Sequence, residues 1–135
     1  MLLTAVLLIV PFSTSICAEE ITPYYNNTAS TSTGMGIDAN GLLTISYRYA
    51  GYQAVATHAV ITTYVEKRFL GLFWSRVDIG TTDNQWVDTI YDYRYNGSRT
   101  FQLSKSGTYR VKVTYTIYGS GGAADVIEYE GTDSY

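Results

Sequence analysis

The sequence predicts an all-β protein: an immunoglobulin/fibronectin-III-like antiparallel β-sandwich of about seven to eight strands. Three observations carry this. Apolar and polar residues alternate with period two along most segments. Glycines fall between those segments at Gly41, Gly51, Gly71, Gly80, Gly97, Gly107 and Gly119, many of them at roughly the 8–12-residue rhythm of a sandwich or barrel. "LSKSGTYRV" at 103–111 sets a Gly-x-Tyr just ahead of a strand, the signature of a tyrosine corner. No stretch combines helical spacing with a cap, and no proline follows Pro23.

The first eighteen residues read as a signal peptide. "LLTAVLLIVPF" is followed by the small and polar "STSICA". The apolar run covers about half of a bilayer core as a helix, a length that suits a signal-peptide core rather than a membrane span. Cleavage after about Ala18 is expected, with export to the outside of the cell. Cys17 reads as a small residue of the discarded segment; as a lipidated residue it would follow Ile16, where lipoprotein signals place a smaller side chain. The mature chain then has no cysteine, which fits an exported bacterial protein better than a eukaryotic secreted one. No second apolar run is long enough to span a membrane.

Residues 19–28 read as a flexible leader, and 29–135 as one sandwich domain. Strands are expected near 29–38, 42–49, 58–69, 73–79, 86–91, 98–103, 109–118 and 124–130. In "LLTISYRY" Leu43, Ile45, Tyr47 and Tyr49 share a face. In "VITTYVEKRF" Ile61, Thr63 and Val65 do the same, and in "YRVKVTYTIY" so do Tyr109, Val111, Val113, Tyr115 and Ile117. Valine, isoleucine, threonine and tyrosine suit a pleated, half-buried surface. Asn40-Gly41 and Asn96-Gly97 are expected at hairpin turns, because both tolerate positive φ. "GSGG" at 119–122 is expected to be a flexible loop. Glu66 is expected to meet Arg110 or Lys112 across a sheet as an exposed pair, worth about 0–1 kcal/mol.

Leu103, Gly107 and Tyr109 match the tyrosine corner. Where an antibody-type domain has a disulfide, this chain offers Val111 and Ile45, so packing must replace the bridge. The segments "ITTYVEKRFLGLFWSRVDIG", "QWVDTIYDYRY" and "SGTYRVKVTYTIYGSGGAADVIE" together resemble small exported proteins of Gram-positive gut bacteria, an uncharacterised family with a signal peptide and one β-sandwich domain. The resemblance covers most of residues 28–130. It implies location and fold, and no site.

The formal net charge is −3, with acids and bases interspersed. There is no basic excess and no nucleic-acid-binding motif, which excludes nucleic acid as the expected partner. His58 is the only histidine and has no nucleophile motif beside it. No catalytic residue, cofactor or metal is expected. Asp83, Asp88, Asp92, Glu128 and Glu130 are the acids a glycosidase would need as a pair, and Asp88 with Asp92 the ones a calcium ion would need. None forms a recognised motif, and solvated surface acids are the expectation.

Binding surfaces are the stronger prospect. Tyrosine occurs fourteen times. By alternation Tyr64 and Tyr118 face outward, together with some of Tyr91, Tyr93 and Tyr95, and such rings supply contact area at little entropic cost. "FLGLFW" at 69–74 sets apolar residues around a turn glycine. Two outcomes are open. The tip caps one end of the core, which alternation favours because Phe69 continues the Ile61 and Val65 face. Alternatively Leu70, Leu72, Phe73 and Trp74 stand in water, with Lys67, Arg68 and Arg76 as a basic collar suited to an anionic lipid or wall-polymer surface. The expected function is a secreted, non-enzymatic binding module for a glycan, a cell-wall polymer or a protein at the cell surface. A surface protein self-associating through sheet edges stands second, and a glycoside hydrolase third.

Overall fold

The computed structural model describes residues 24–135. The expected signal peptide, Cys17 and residues 19–23 of the expected leader lie outside the described residues. In chain order the strands are β1 Thr28–Ile37, β2 Leu42–Gly51, β3 Ala56–Phe69, β4 Phe73–Arg76, β5 Trp86–Ile90, β6 Arg94–Gln102, β7 Thr108–Gly119 and β8 Asp125–Ser134. Every pairing is antiparallel. One sheet has three strands in the order β1-β2-β6; the other has five, with β4-β3-β7-β8 in line and β5 also paired to β3. The two sheets stack as a β-sandwich.

The period-two pattern decides which face is buried. Leu43, Ile45, Tyr47 and Tyr49 of β2 pack with Ile61 and Val65 of β3 and with Tyr109, Val111, Val113, Tyr115 and Ile117 of β7 in a single core. Each such side chain contributes roughly 1.5–3 kcal/mol by leaving water. Ile45 and Val111 are both wholly buried in that core. The buried tyrosines keep their hydroxyls bonded, as polar groups in an interior must. Tyr47 donates to Thr63 Oγ1 at 3.0 Å, Tyr49 donates to the Asp92 carbonyl at 2.8 Å, and the Tyr115 hydroxyl shares a hydrogen bond with Thr33 Oγ1 at 2.6 Å. Two of these bonds tie one sheet to the other. Burial pushes the Tyr47, Tyr49, Tyr109 and Tyr115 hydroxyls above the usual phenol range.

The corner forms as its sequence foretold. Leu103 and Tyr109 are buried, and the Tyr109 hydroxyl donates to the Lys105 carbonyl. At the opposite end Asp125 ties the chain start to the last strand. Its carboxylate accepts the Asn26 and Asn27 N–H groups at 2.9 and 2.8 Å and the Thr28 hydroxyl at 2.8 Å.

β3 has fourteen residues and shares its outer edge between two partners. Ala59–Thr63 pairs with β5, and Glu66–Phe69 pairs with β4. The second half of β3 therefore runs past β5 and carries a separate hairpin.

Several expectations are corrected. Asn96-Gly97 makes no turn: both residues lie within β6, where Gly97 faces Tyr47 of β2. The glycine is there for space, since a methyl group on it would stand 2.2 Å from the Tyr95 hydroxyl. In the β1–β2 turn only Gly41, not Asn40, has positive φ; Asp38 holds that turn by accepting the Asn40 and Leu42 N–H groups. The 119–122 segment is braced rather than loose, because Asn27 Oδ1 accepts the Gly121 N–H at 3.0 Å and Asn27 Nδ2 donates to the Ala123 carbonyl at 3.1 Å. Asn27 and Thr28 are buried, so ordered packing begins inside the expected leader.

Candidate functional site

Among the described residues, the β3–β4 hairpin is the one place where a run of large apolar side chains faces water. Its turn is closed by the Leu72 N–H donating to the Phe69 carbonyl at 3.1 Å. Both central residues have positive φ, 51° at Leu70 and 67° at Gly71. Such primed geometry matches the twist of two paired strands. Gly71 takes it without strain. Leu70 does not, because its Cβ crowds the backbone in this region, and asparagine or glycine is the usual occupant. Arg68 braces the turn by donating from Nε to the Gly71 carbonyl at 2.9 Å.

The tip does not cap the core. Phe69 is 61% exposed, Leu70 74%, Leu72 77% and Phe73 61%. Phe69 does continue the inward face of β3, but it stands beyond the end of the sandwich, with no opposing sheet to cover it. The face runs out before the strand does.

Trp74 and Tyr64 differ from the tip residues. Trp74 pairs with Arg68 across the hairpin and is half-buried. The Arg110 guanidinium lies 4.2 Å from its ring centre and that of Arg68 6.0 Å. Tyr64 is half-buried under Arg76, whose guanidinium is 3.5 Å from the ring centre. Both rings serve as seats for cations, an attraction between positive charge and the ring face. Glu66 faces Arg110 across the β3–β7 ladder and accepts from its Nε at 2.7 Å and from its Nη2. That pair is only 15–17% exposed, so it is not the solvated pair the sequence suggested. Glu130 adds a looser contact to Arg110 at 3.7 Å.

The basic collar is present and larger than the sequence indicated. Lys67, Arg68, Arg76 and Lys105 line a shallow groove beside the hairpin, together with Phe69 and Val77. Lys105 comes from the β6–β7 connection and was not singled out by sequence. The tyrosine corner brings it there, because the same residue supplies the carbonyl that Tyr109 grips. Lys67 lies over the Tyr109 ring, 5.6 Å from its centre.

Tyr118 belongs to the other end of the sheet. Its ring stacks on His58 at 4.6 Å and 6°, and Tyr91 lies 5.8 Å from the same imidazole. The six candidate residues thus separate into the tip (Leu70, Leu72, Phe73), the cation-covered rings (Trp74, Tyr64) and a distant stack (Tyr118). Phe69, expected in the core, joins the tip.

Three of the five acids considered for catalysis or calcium, Asp88, Asp92 and Glu130, have separate partners. Both Asp88 oxygens accept from Arg99 Nη2 at 2.9 Å, an ion pair between β5 and β6 that links the two sheets. Asp92 accepts the Arg94 N–H, and Glu130 faces Arg110 and Lys112. Among the described residues no group of three or more histidine, cysteine or acidic side chains gathers as a metal site. Among the same residues no helix is long and apolar enough to cross a membrane.

No family model matches the chain, and a search of curated proteins finds no match. Fold and site together define a β-sandwich with a projecting apolar hairpin and a basic collar.

Proposed function

We propose that this protein is an exported, non-enzymatic binding module of immunoglobulin-like topology that engages its target through the β3–β4 tip. One observation carries the reading: four large apolar side chains, each more than half exposed, stand together at the end of a braced hairpin. Soluble surfaces rarely expose such a cluster without using it. The strain kept at Leu70 supports the same view. A glycine or asparagine there would relieve it at no structural cost, and residues held in unfavourable backbone regions concentrate at functional places.

The immunoglobulin-like topology is supported by the strand order, by the tyrosine corner and by Ile45 and Val111 in the positions of the missing bridge. Export, and kinship with small exported sandwich proteins of Gram-positive gut bacteria, rest on the leader and on the segments quoted above. The non-enzymatic reading is supported by the use made of the acids. Asp88 and Glu66 are held by arginines, and Asp125 and Asp133 cap main-chain groups.

The test is binding of the protein to whole cells and to arrays of glycans and surface polymers, comparing wild type with a Leu70→Ser/Leu72→Ser variant. Capture that weakens at least tenfold in the variant supports the reading. Capture unchanged by the variant, or no capture at all, removes the tip as the binding element. A second reading, self-association, is favoured by β6, which pairs on one side only and holds no proline. Arg99 works against it, because an inward-pointing charge on an edge strand is a known guard against edge pairing. A monomeric mass by light scattering at every concentration would dismiss that alternative.

A further inference from the structure

We infer that the target of the tip is an anionic lipid bilayer surface, with the apolar apex entering the interface and the collar at the level of the lipid phosphates. The inference rests on the tip-mediated binding reading above and names its partner. Its first support is the order of groups along the hairpin. Leu70 and Leu72 are at the apex, the Phe69–Phe73 pair follows, then Arg68 opposite Trp74, then Lys67 opposite Ser75, then Arg76. At roughly 3.4 Å per strand residue, Lys67 lies about 10 Å behind Leu70. A surface-bound apolar element sinks about 5–10 Å into the boundary between headgroups and acyl chains. The spacing therefore sets leucines and phenylalanines among the upper acyl chains while the cations remain with the phosphates.

The second support is charge. Lys67, Arg68, Arg76 and Lys105 are four of nine basic residues in a chain of net charge −3. None of the four has an ion-pair partner within 4 Å among the described residues, whose salt bridges all involve Arg99, Arg110 and Lys112. Arg68 and Arg76 instead donate to the main-chain carbonyls of Gly71 and Asp83, which leaves their positive charge unneutralised. An acidic protein has thus kept one end basic. Each cation held near an anionic leaflet strengthens partitioning by roughly fivefold.

The third is shape. The apex is formed by the aliphatic Leu70 and Leu72, and the Phe69 and Phe73 rings behind it carry no hydrogen-bonding group, whereas a sugar is gripped by flat rings with hydrogen-bonding groups around them. Here the tryptophan and tyrosine nearest the tip are already covered by arginines. A fluid, apolar surface fringed with phosphates complements a convex apolar point with a cationic rim.

Sedimentation of the protein with vesicles tests this, using pure phosphatidylcholine against a 70:30 mixture of phosphatidylcholine and phosphatidylglycerol at low and high salt. We expect binding to the mixture to exceed binding to the neutral vesicles at least tenfold, and to weaken as salt rises. Leu70→Ser/Leu72→Ser should lose at least tenfold on the mixed vesicles. Arg68→Gln/Arg76→Gln should lose the preference for the anionic mixture. Circular dichroism on each variant confirms that the sandwich is intact, and Leu70→Gly supplies a tip variant relieved of backbone strain. Equal binding to the two vesicle types, or none to either, overturns the lipid assignment. If cells, glycans or proteins still capture the protein through its tip while vesicles do not, the lipid assignment falls and the tip reading stands. Tip substitutions without effect on any surface overturn both.

Discussion

The Asp125 carboxylate grips the Asn27 main-chain N–H at 2.8 Å across 98 residues of sequence, and so fastens the first strand to the last. Burial alone would raise this carboxyl's pKa. The hydrogen bonds from Asn27, Asn26 and Thr28 outweigh burial and hold it below the usual carboxylate range. Asp133 is shifted the same way by N–H donors from Ile37 and Ser134. A carboxylate whose pKa is depressed on folding adds stability that is complete above its unfolded value, near 4, and is lost as pH falls through the folded value. Stability should therefore decline below about pH 4. Asp125→Ala should cost about 2–4 kcal/mol at pH 7, because it leaves several buried donors unmatched, and should flatten the acid limb. Urea titrations at a series of pH values measure both.

Tyr109→Phe removes the hydroxyl that holds the Lys105 carbonyl and leaves the ring in place. The expected loss is about 1–2 kcal/mol in chemical denaturation. The same change frees the loop that carries Lys105, so amide exchange at residues 104–107 should speed up while β7 stays protected.

Arg110 is shared by Glu66 and Trp74. Arg110→Met should destabilise by about 1–3 kcal/mol, mainly because Glu66 keeps its charge in a poorly hydrated place. Adding Glu66→Gln should return part of that loss. A double-mutant cycle should give a coupling of about 1–2 kcal/mol. Additive single effects would show that the pair contributes no more than an exposed one.

Leu70→Gly should stabilise the protein by up to about 1 kcal/mol, since a left-handed backbone costs a non-glycine residue about 1–2 kcal/mol and glycine's greater freedom when unfolded offsets part of the gain. Thermal unfolding checks it. A stabler but less adhesive variant would show that the leucine is kept for what it touches outside the molecule.

The sandwich was readable because its signal is local. In β2 and β7 the inward residues are apolar, in β3 the same alternation is interrupted by Thr63 and Lys67, and each of Leu43, Ile45, Ile61, Val65, Val111 and Val113 is buried as that pattern requires. The corner was readable because glycine and tyrosine stand in a fixed relation to the strand they precede. Sequence failed where a side chain's fate depends on what lies opposite. Phe69 has the right parity for the core, yet parity says nothing about where the facing sheet stops. Asn96-Gly97 has the composition of a turn, but the Tyr95 ring claims the glycine as space. Tyr64 and Trp74 face outward as alternation requires; that arginines would lie over them depends on strand register, which pairwise alternation does not fix. Lys105 reached the collar because the β3–β7 ladder sets Tyr109, and the corner it closes, opposite Lys67, a long-range pairing that local pattern does not fix.

Sharing one edge of β3 between β5 and β4 makes the molecule modular within a single sheet. Four residues of β4 pair only with the outer end of β3, so the hairpin can be lengthened, shortened or rewritten without shifting the register of β5 or of the facing sheet. If the hairpin is the binding element proposed above, its target can be altered by changing a handful of residues at one extremity, while the thermodynamic burden of staying folded rests on other parts of the chain.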